Sequence, residues 1–136
     1  MPKKQIPEAF KVSFDPENKL PFSPVVQIGN HFHFSGTLPD LDKDNKTVTD
    51  DIFDQTLQVM ARMKKLLKKC GLSFKDVYSV TILTSDGLEG AYPEINKAYA
   101  EAFEGVEIMP RRKCFSVYEL PFDVQVEIEF DAVKQD

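Results

Sequence analysis

The run Val124-Gln125-Val126-Glu127-Ile128-Glu129-Phe130 alternates apolar and polar residues without a break. Successive side chains of a strand point to opposite faces, so Val124, Val126, Ile128 and Phe130 share one face and Gln125, Glu127 and Glu129 the other. Such a strand belongs to a sheet with one covered face and one polar face. Two segments can supply the cover. Ile52, Phe53, Leu57, Met60, Met63, Leu66 and Leu67 recur at steps of three and four, the stripe of an amphipathic helix. Ile95, Ala98, Tyr99, Ala102 and Phe103 form a shorter stripe of the same kind.

The remaining elements follow from local chemistry. Val25–Ile28 and His31–Gly36 are short runs joined by Gly29-Asn30, a hairpin signal, with Phe32 and Phe34 on one face and His31, His33 and Ser35 on the other. Thr47-Val48-Thr49-Asp50 offers a capping box to the first helix, with Asp50 and Asp51 expected in its first turn. Lys64, Lys65, Lys68 and Lys69 crowd its end and Gly71 stops it. Val77–Thr84 reads as a strand buried on both faces. Pro93, tolerated in a first turn, marks the expected start of the second helix. Cys114–Leu120 reads as a further strand and Pro121-Phe122-Asp123 as a turn. Near the start, Phe10, Val12 and Phe14 alternate with polar residues and fit a short strand over residues 9–14. Strand, strand, helix, strand, helix, strand, strand is the order of an α+β domain, with both helices on one face of a single sheet.

At 136 residues the chain is expected to form one domain, residues 1–20 being an N-terminal segment. The net charge of −5 counts against nucleic acid as a partner, since such binders carry a basic face or stripe. No apolar run is long enough to span a bilayer, and no apolar segment of signal-peptide length follows Met1-Pro2-Lys3-Lys4. A cytoplasmic location is therefore expected, with no membrane partner. In that reducing compartment Cys70 and Cys114 are expected as free thiols.

Few residues could carry chemistry. Arg111, Arg112 and Lys113 form a dense basic cluster after Pro110. An Arg there can grip a carboxylate with two parallel hydrogen bonds, although charge alone equally fits a solvated loop. Glu127 and Glu129 stand roughly 7 Å apart on one strand face, either as an acid–base pair or as the wet side of a sheet. His31 and His33 have the spacing of a metal-binding pair, but no third ligand stands at a telling distance, so no metal is expected.

Taken together, the motifs resemble a known family. Leu20-Pro21-Phe22-Ser23-Pro24, Ile28-Gly29-Asn30 and Phe34-Ser35-Gly36 are similar to its opening G-P-Y-S-Q…G-N…S-G-Q. Ile95-Asn96-Lys97-Ala98-Tyr99 resembles its V-N-x-x-Y helix, and Pro110-Arg111-Arg112-Lys113-Cys114-Phe115 resembles P-A-R-S-C-V. Leu120-Pro121 and Val126-Glu127-Ile128-Glu129 resemble L-P…V-E-I-E. This is the Rid (reactive intermediate deaminase) family, also called YjgF or L-PSP endoribonuclease, and the likeness runs from about residue 20 to residue 132.

The resemblance implies a chorismate-mutase-like α+β fold assembled as a homotrimer, with sites in the clefts between subunits and no cofactor. The implied reaction is hydrolysis of enamines and imines of 2-amino acids, such as 2-aminoacrylate, to 2-keto acids and ammonia. Arg112 matches the substrate-binding Arg and would hold the carboxylate. Glu127 matches the acidic site residue and would handle the attacking water or its proton. Phe22, Ser35, Gly36, Asn96 and Cys114 match further pocket positions. Three positions depart from the pattern: Phe22 stands for a Tyr, Pro24 for a Gln and Lys113 for a Ser. These departures leave room for a non-catalytic trimeric binder of small carboxylates, and the family name brings an endoribonuclease or translation inhibitor as a further alternative.

Overall fold

The structure, a computed structural model, describes residues 1–11 and 21–136. Its strands are β1 (Lys4–Gln5), β2 (Val25–Ile28), β3 (His31–Thr37), β4 (Val77–Thr84), β5 (Arg111–Ser116) and β6 (Val126–Val133). Its helices are α1 (Glu8–Lys11), α2 (Ile52–Lys69) and α3 (Leu88–Ala102). The strands form one six-stranded sheet in the order β1-β2-β3-β6-β4-β5. Neighbours run antiparallel except β4 and β5, which are parallel and joined through α3.

The α+β expectation is met: α2 and α3 pack on each other and on one face of the sheet. Val126, Ile128 and Phe130 of β6 meet Phe32 and Phe34 of β3 and Val80 and Ile82 of β4, beneath Val59, Met63, Leu67, Ile95 and Tyr99 of the helices. Phe34 and Phe130 stack with ring centroids 4.3 Å apart. The β2–β3 hairpin turns at Gly29, whose φ of +59° few other residues adopt without strain. On β4 the core face (Val80, Ile82, Thr84) is buried, whereas Thr81 and Leu83 opposite are only half covered, so burial on both faces is partial.

Several boundaries differ from those expected, each for a local reason. Residues 9–11 are helical: Phe10 N–H donates to the Pro7 carbonyl, and the buried Phe10 ring lies under Lys69 Nζ. Residues 12–14 of that expected strand lie outside the described residues. The cap of α2 is Asp51 rather than the Thr47–Asp50 box, because its carboxylate accepts the Asp54 N–H at 3.0 Å, one residue ahead of the apolar stripe. At the other end Gly71 (φ +74°) makes the expected stop, with Leu72 N–H reaching the Leu67 carbonyl at 2.9 Å.

Helix α3 begins at Leu88, five residues before the expected Pro93. The proline removes one N–H from the Glu89 carbonyl, but both residues are on the exposed side, where water can replace the bond. The added turn buries Ala91, whose N–H donates to Gly87 at 3.1 Å. Strand β5 covers 111–116 instead of 114–120. Among the described residues its only partner is β4, paired from Ser79↔Arg111 to Thr84↔Ser116, and beyond Thr84 that ladder ends. Arg111, Arg112 and Lys113 are therefore strand residues. Strand β6 runs on to Val133 because β3 continues to pair with it, His31 opposite Val133.

Candidate functional site

Parallel pairing with β4 decides which way the basic cluster points. Arg112 lies opposite Val80 and Cys114 opposite Ile82, and both of those β4 residues are buried under the helices. Arg112 and Cys114 thus turn toward α3 and are half-buried, while Arg111 and Lys113 point the other way and are exposed. Helix α3 meets Arg112 with one face. Asn96 Oδ1 accepts from Arg112 Nη2 at 2.7 Å, and the Tyr92 hydroxyl accepts from the same nitrogen at 3.1 Å. The guanidinium also lies over the rings of Tyr99 (4.9 Å) and Tyr92 (5.5 Å). Every one of these partners is neutral. Among the described residues no carboxylate pairs with Arg112.

Asn96, Tyr99, Ala100, Met109, Pro110 and Arg112 line an open pocket of about 330 Å³. Tyr99 is buried, its hydroxyl has no hydrogen-bond partner among the described residues, and burial pushes its pKa up to about 12 against the lowering pull of Arg112. Burial likewise raises the Cys114 thiol, which Arg112 partly offsets. Both Cys70 and Cys114 are free, as expected.

The other group of expected site residues sits on the opposite sheet face. Glu127 lies between the buried Val126 and Ile128, so its side chain leaves the sheet away from the helices, across from Leu83 of β4. It rests against Gly36: a Cβ on that glycine would stand 2.7 Å from Glu127 Cδ. Burial raises the Glu127 carboxyl and the neighbouring Glu129 raises it further. Ser35 is committed to structure, its Oγ donating to the Ser23 carbonyl at 2.6 Å while its N–H donates to Pro24 at 2.9 Å. That pair ties the segment carrying Phe22, which is 56% exposed, to β3.

The seven expected residues therefore form two groups within one chain. Asn96, Arg112 and Cys114 are together on the helix side; Ser35, Gly36 and Glu127 are together on the other, with Phe22 beside them. Strands β5 and β6 are separated by β4, roughly 10 Å apart laterally, and the two side chains leave opposite faces. Arg112 and Glu127 of one chain cannot share a small ligand. Tyr92 was absent from the expected set. Its signal was present, since it stands four residues before Asn96 and seven before Tyr99 on one helical face, but a helix starting at Pro93 leaves it outside.

His31 and His33 are engaged locally. His33 Nδ1 lies 2.9 Å from Asp131 Oδ1 and His31 Nδ1 lies 3.2 Å from the Tyr78 hydroxyl. Among the described residues no three His, Cys, Asp or Glu side chains converge as a metal site would need, and no helix is long and apolar enough to cross a membrane.

The family model described as endoribonuclease L-PSP matches residues 13–134. The chain belongs to this family, also called Rid or YjgF. A RutC family protein of Pyrococcus horikoshii is 36% identical over 115 residues, covering 85% of this chain and 88% of the relative. The protein of Dermatophagoides farinae named 2-iminobutanoate/2-iminopropanoate deaminase is 33% identical over 109 residues, 80% of this chain and 82% of its own. The crystal structure of the Rid family protein YyfA of Yersinia pestis superposes with a TM-score of 0.80 at 27% identity, covering 97% of this chain and all of that one. The Rid fold of the chain is thus seen in solved structures as well as in its own sheet order.

Proposed function

We propose that this protein hydrolyses imines, and the enamines that tautomerise to them, of 2-amino acids to 2-keto acids and ammonia. Arg112 holds the substrate carboxylate. The observation that carries this reading is a half-buried guanidinium that, among the described residues, is held only by neutral acceptors beside an open pocket. A cation fixed in place without a counter-charge is preorganised for a small anion, because the ordering cost is met before binding. A deaminase among the relatives, acting by its name on 2-iminobutanoate and 2-iminopropanoate, supports the substrate class.

The reaction needs a water at the C=N carbon. As the C–O bond forms, Glu127 takes the water's proton, the C=N electron pair moves to nitrogen, and the protonated Glu127 returns that proton to the nitrogen. The resulting carbinolamine expels ammonia as its hydroxyl becomes the keto group. Burial and Glu129 both raise the Glu127 carboxyl, which moves a carboxylate toward the basicity a proton acceptor needs. We assign Asn96 to hold Arg112, Gly36 to make room for Glu127, and the strand at Cys114 and the segment at Phe22 to wall the pocket.

Since one chain cannot present Arg112 and Glu127 to the same ligand, the complete site is proposed to form between copies in a homotrimer. Arg112 of one copy would face Glu127 of the next. The apolar side chains of Phe22, Phe115, Tyr118 and Phe122, exposed in the single chain, supply contact surface for such an assembly. The two free thiols fit a cytoplasmic protein. Phe22, which brings no hydroxyl, favours a second reading as a non-catalytic binder of small carboxylates.

The test is to generate 2-iminobutanoate or 2-aminoacrylate enzymatically and follow 2-keto acid release. Acceleration over spontaneous hydrolysis is expected. Thermal stabilisation by 2-oxobutanoate without acceleration would select the binder instead.

A further inference from the structure

The way Arg112 is held leaves it one hydrogen-bond donor short of a two-pronged grip. A guanidinium can meet a carboxylate in parallel along two edges, its Nη1/Nη2 end or its Nε/Nη2 side. Nη2 belongs to both edges and contributes one hydrogen to each. Here Asn96 Oδ1 and the Tyr92 hydroxyl occupy the acceptor positions on Nη2, at 2.7 and 3.1 Å. Among the described residues, a carboxylate arriving at either edge therefore finds Nη1 or Nε without an acceptor and the second position taken.

The two occupants are not equivalent. Asn96 is half-buried, makes the shorter bond and accepts through a carbonyl oxygen that has no proton to give. Tyr92 is 42% exposed and accepts through a hydroxyl. Among the described residues the hydroxyl's one hydrogen bond is the one it accepts from Arg112, which leaves its own O–H proton uncommitted there. A phenol that accepts from a cation is a stronger donor on its other side, because successive hydrogen bonds polarise one another. The ring is also held in register by the guanidinium above it.

We infer that Tyr92 is a substrate-binding residue of this site: one carboxylate oxygen takes a hydrogen from Arg112 and the other takes the Tyr92 O–H. The inference rests on the reading of Arg112 as the carboxylate holder. The second prong is then a neutral hydroxyl anchored on the cation rather than a second guanidinium N–H. Tyr92 lies on the first half of α3 and is 42% exposed, so its hydroxyl, 3.1 Å from Arg112 Nη2, can be reached from solvent. Tyr92 thus selects for a ligand with two oxygens on one carbon, the feature common to 2-imino and 2-keto acids.

Titration calorimetry of 2-oxobutanoate into the assembled wild-type protein, Tyr92→Phe and Arg112→Ala tests this directly. Tyr92→Phe keeps the ring over Arg112 and removes only the hydroxyl. It is expected to weaken 2-oxobutanoate about tenfold, with KM for the imine raised by a similar factor and kcat within about twofold, the effect of one lost hydrogen bond to a charged group. Loss of binding in Arg112→Ala with unchanged or tighter binding in Tyr92→Phe would overturn the role of Tyr92 and leave that of Arg112 standing. Unchanged binding in Arg112→Ala would overturn both.

Discussion

Glu127 occupies the space that any side chain on residue 36 would need, its Cδ lying 2.7 Å and its Cγ 3.1 Å from where a Gly36 Cβ would stand. The groups met are the movable end of a side chain, not backbone. Gly36→Ala should therefore fold with a penalty below about 1–2 kcal/mol, because the carboxylate can swing aside. It should lose activity by about tenfold or more, since a general base displaced by even 1 Å is misaligned. Parallel urea unfolding and initial-rate measurements check the split. Equal activity in Gly36→Ala would show that the carboxylate's position does not matter.

Asn96 is predicted to act through Arg112. Asn96→Ala removes the 2.7 Å acceptor that fixes Nη2 and leaves the guanidinium to the Tyr92 hydroxyl and the two aromatic faces. We expect kcat/KM to fall about tenfold, mainly through KM, in line with one hydrogen bond to a charged group. Asn96→Asp has a different outcome. It supplies the counter-charge that Arg112 lacks, and should weaken 2-oxobutanoate binding more than Asn96→Ala does.

Glu127 also makes a prediction about pH. Its folded-state pKa is raised by burial and then by Glu129, so the native protein binds a proton at this site more readily than the unfolded chain. Stability at this group is fully present below the unfolded pKa and declines as pH rises through the folded one. Glu127→Gln should therefore be more stable than wild type at pH 7 and indistinguishable from it near pH 4, where an unfolded Glu, with a pKa of about 4.3, is mostly protonated. Denaturant midpoints across that range check it; a Gln variant less stable at pH 7 would contradict the assigned cause. The same variant should lose roughly a hundredfold or more in activity.

Gln55, which neither bonds Arg112 nor lines its pocket, is a structural control. Gln55 is 1% exposed; its Nε2 donates to the Thr49 carbonyl at 2.8 Å and its Oε1 accepts the Gln125 N–H at 2.8 Å. Gln55→Leu preserves the volume and strands both backbone groups, which should cost about 2–4 kcal/mol. Chemical denaturation should show it as a lower midpoint with unchanged slope, and 2-oxobutanoate affinity of the folded protein should stay within about twofold.

How much of this was legible in the chain depends on how locally each feature is specified. The alternation in Val124–Phe130, the three-and-four spacing in α2 and the Gly29-Asn30 turn each carry their own structure, and the placement of both helices on one face of a single sheet follows from them, whereas the strand order does not. Gln55 and Thr56 break the apolar stripe of α2 yet are buried, because their side chains bond backbone carbonyls that composition does not reveal. Strand β5 starts and stops where β4 allows, a constraint set by a partner more than 25 residues away. Arg112 could be selected among three neighbouring cations only by resemblance. Its direction became readable once pairing with Val80 was known, and Tyr92 joined it only because α3 begins ahead of its proline.

The central claim is a site made of Arg112 from one copy and Glu127 from another, and subunit mixing tests it most directly. Arg112→Ala and Glu127→Gln proteins are each expected to be nearly inactive in releasing 2-keto acid from 2-iminobutanoate. Unfolded, combined in equal amounts and refolded, they should regain activity at about a quarter of the sites, those that join an intact Arg112 to an intact Glu127 across a trimer interface. Activity that stays at the level of the parents, or an Arg112→Ala protein that already turns over at the wild-type rate, would contradict the account.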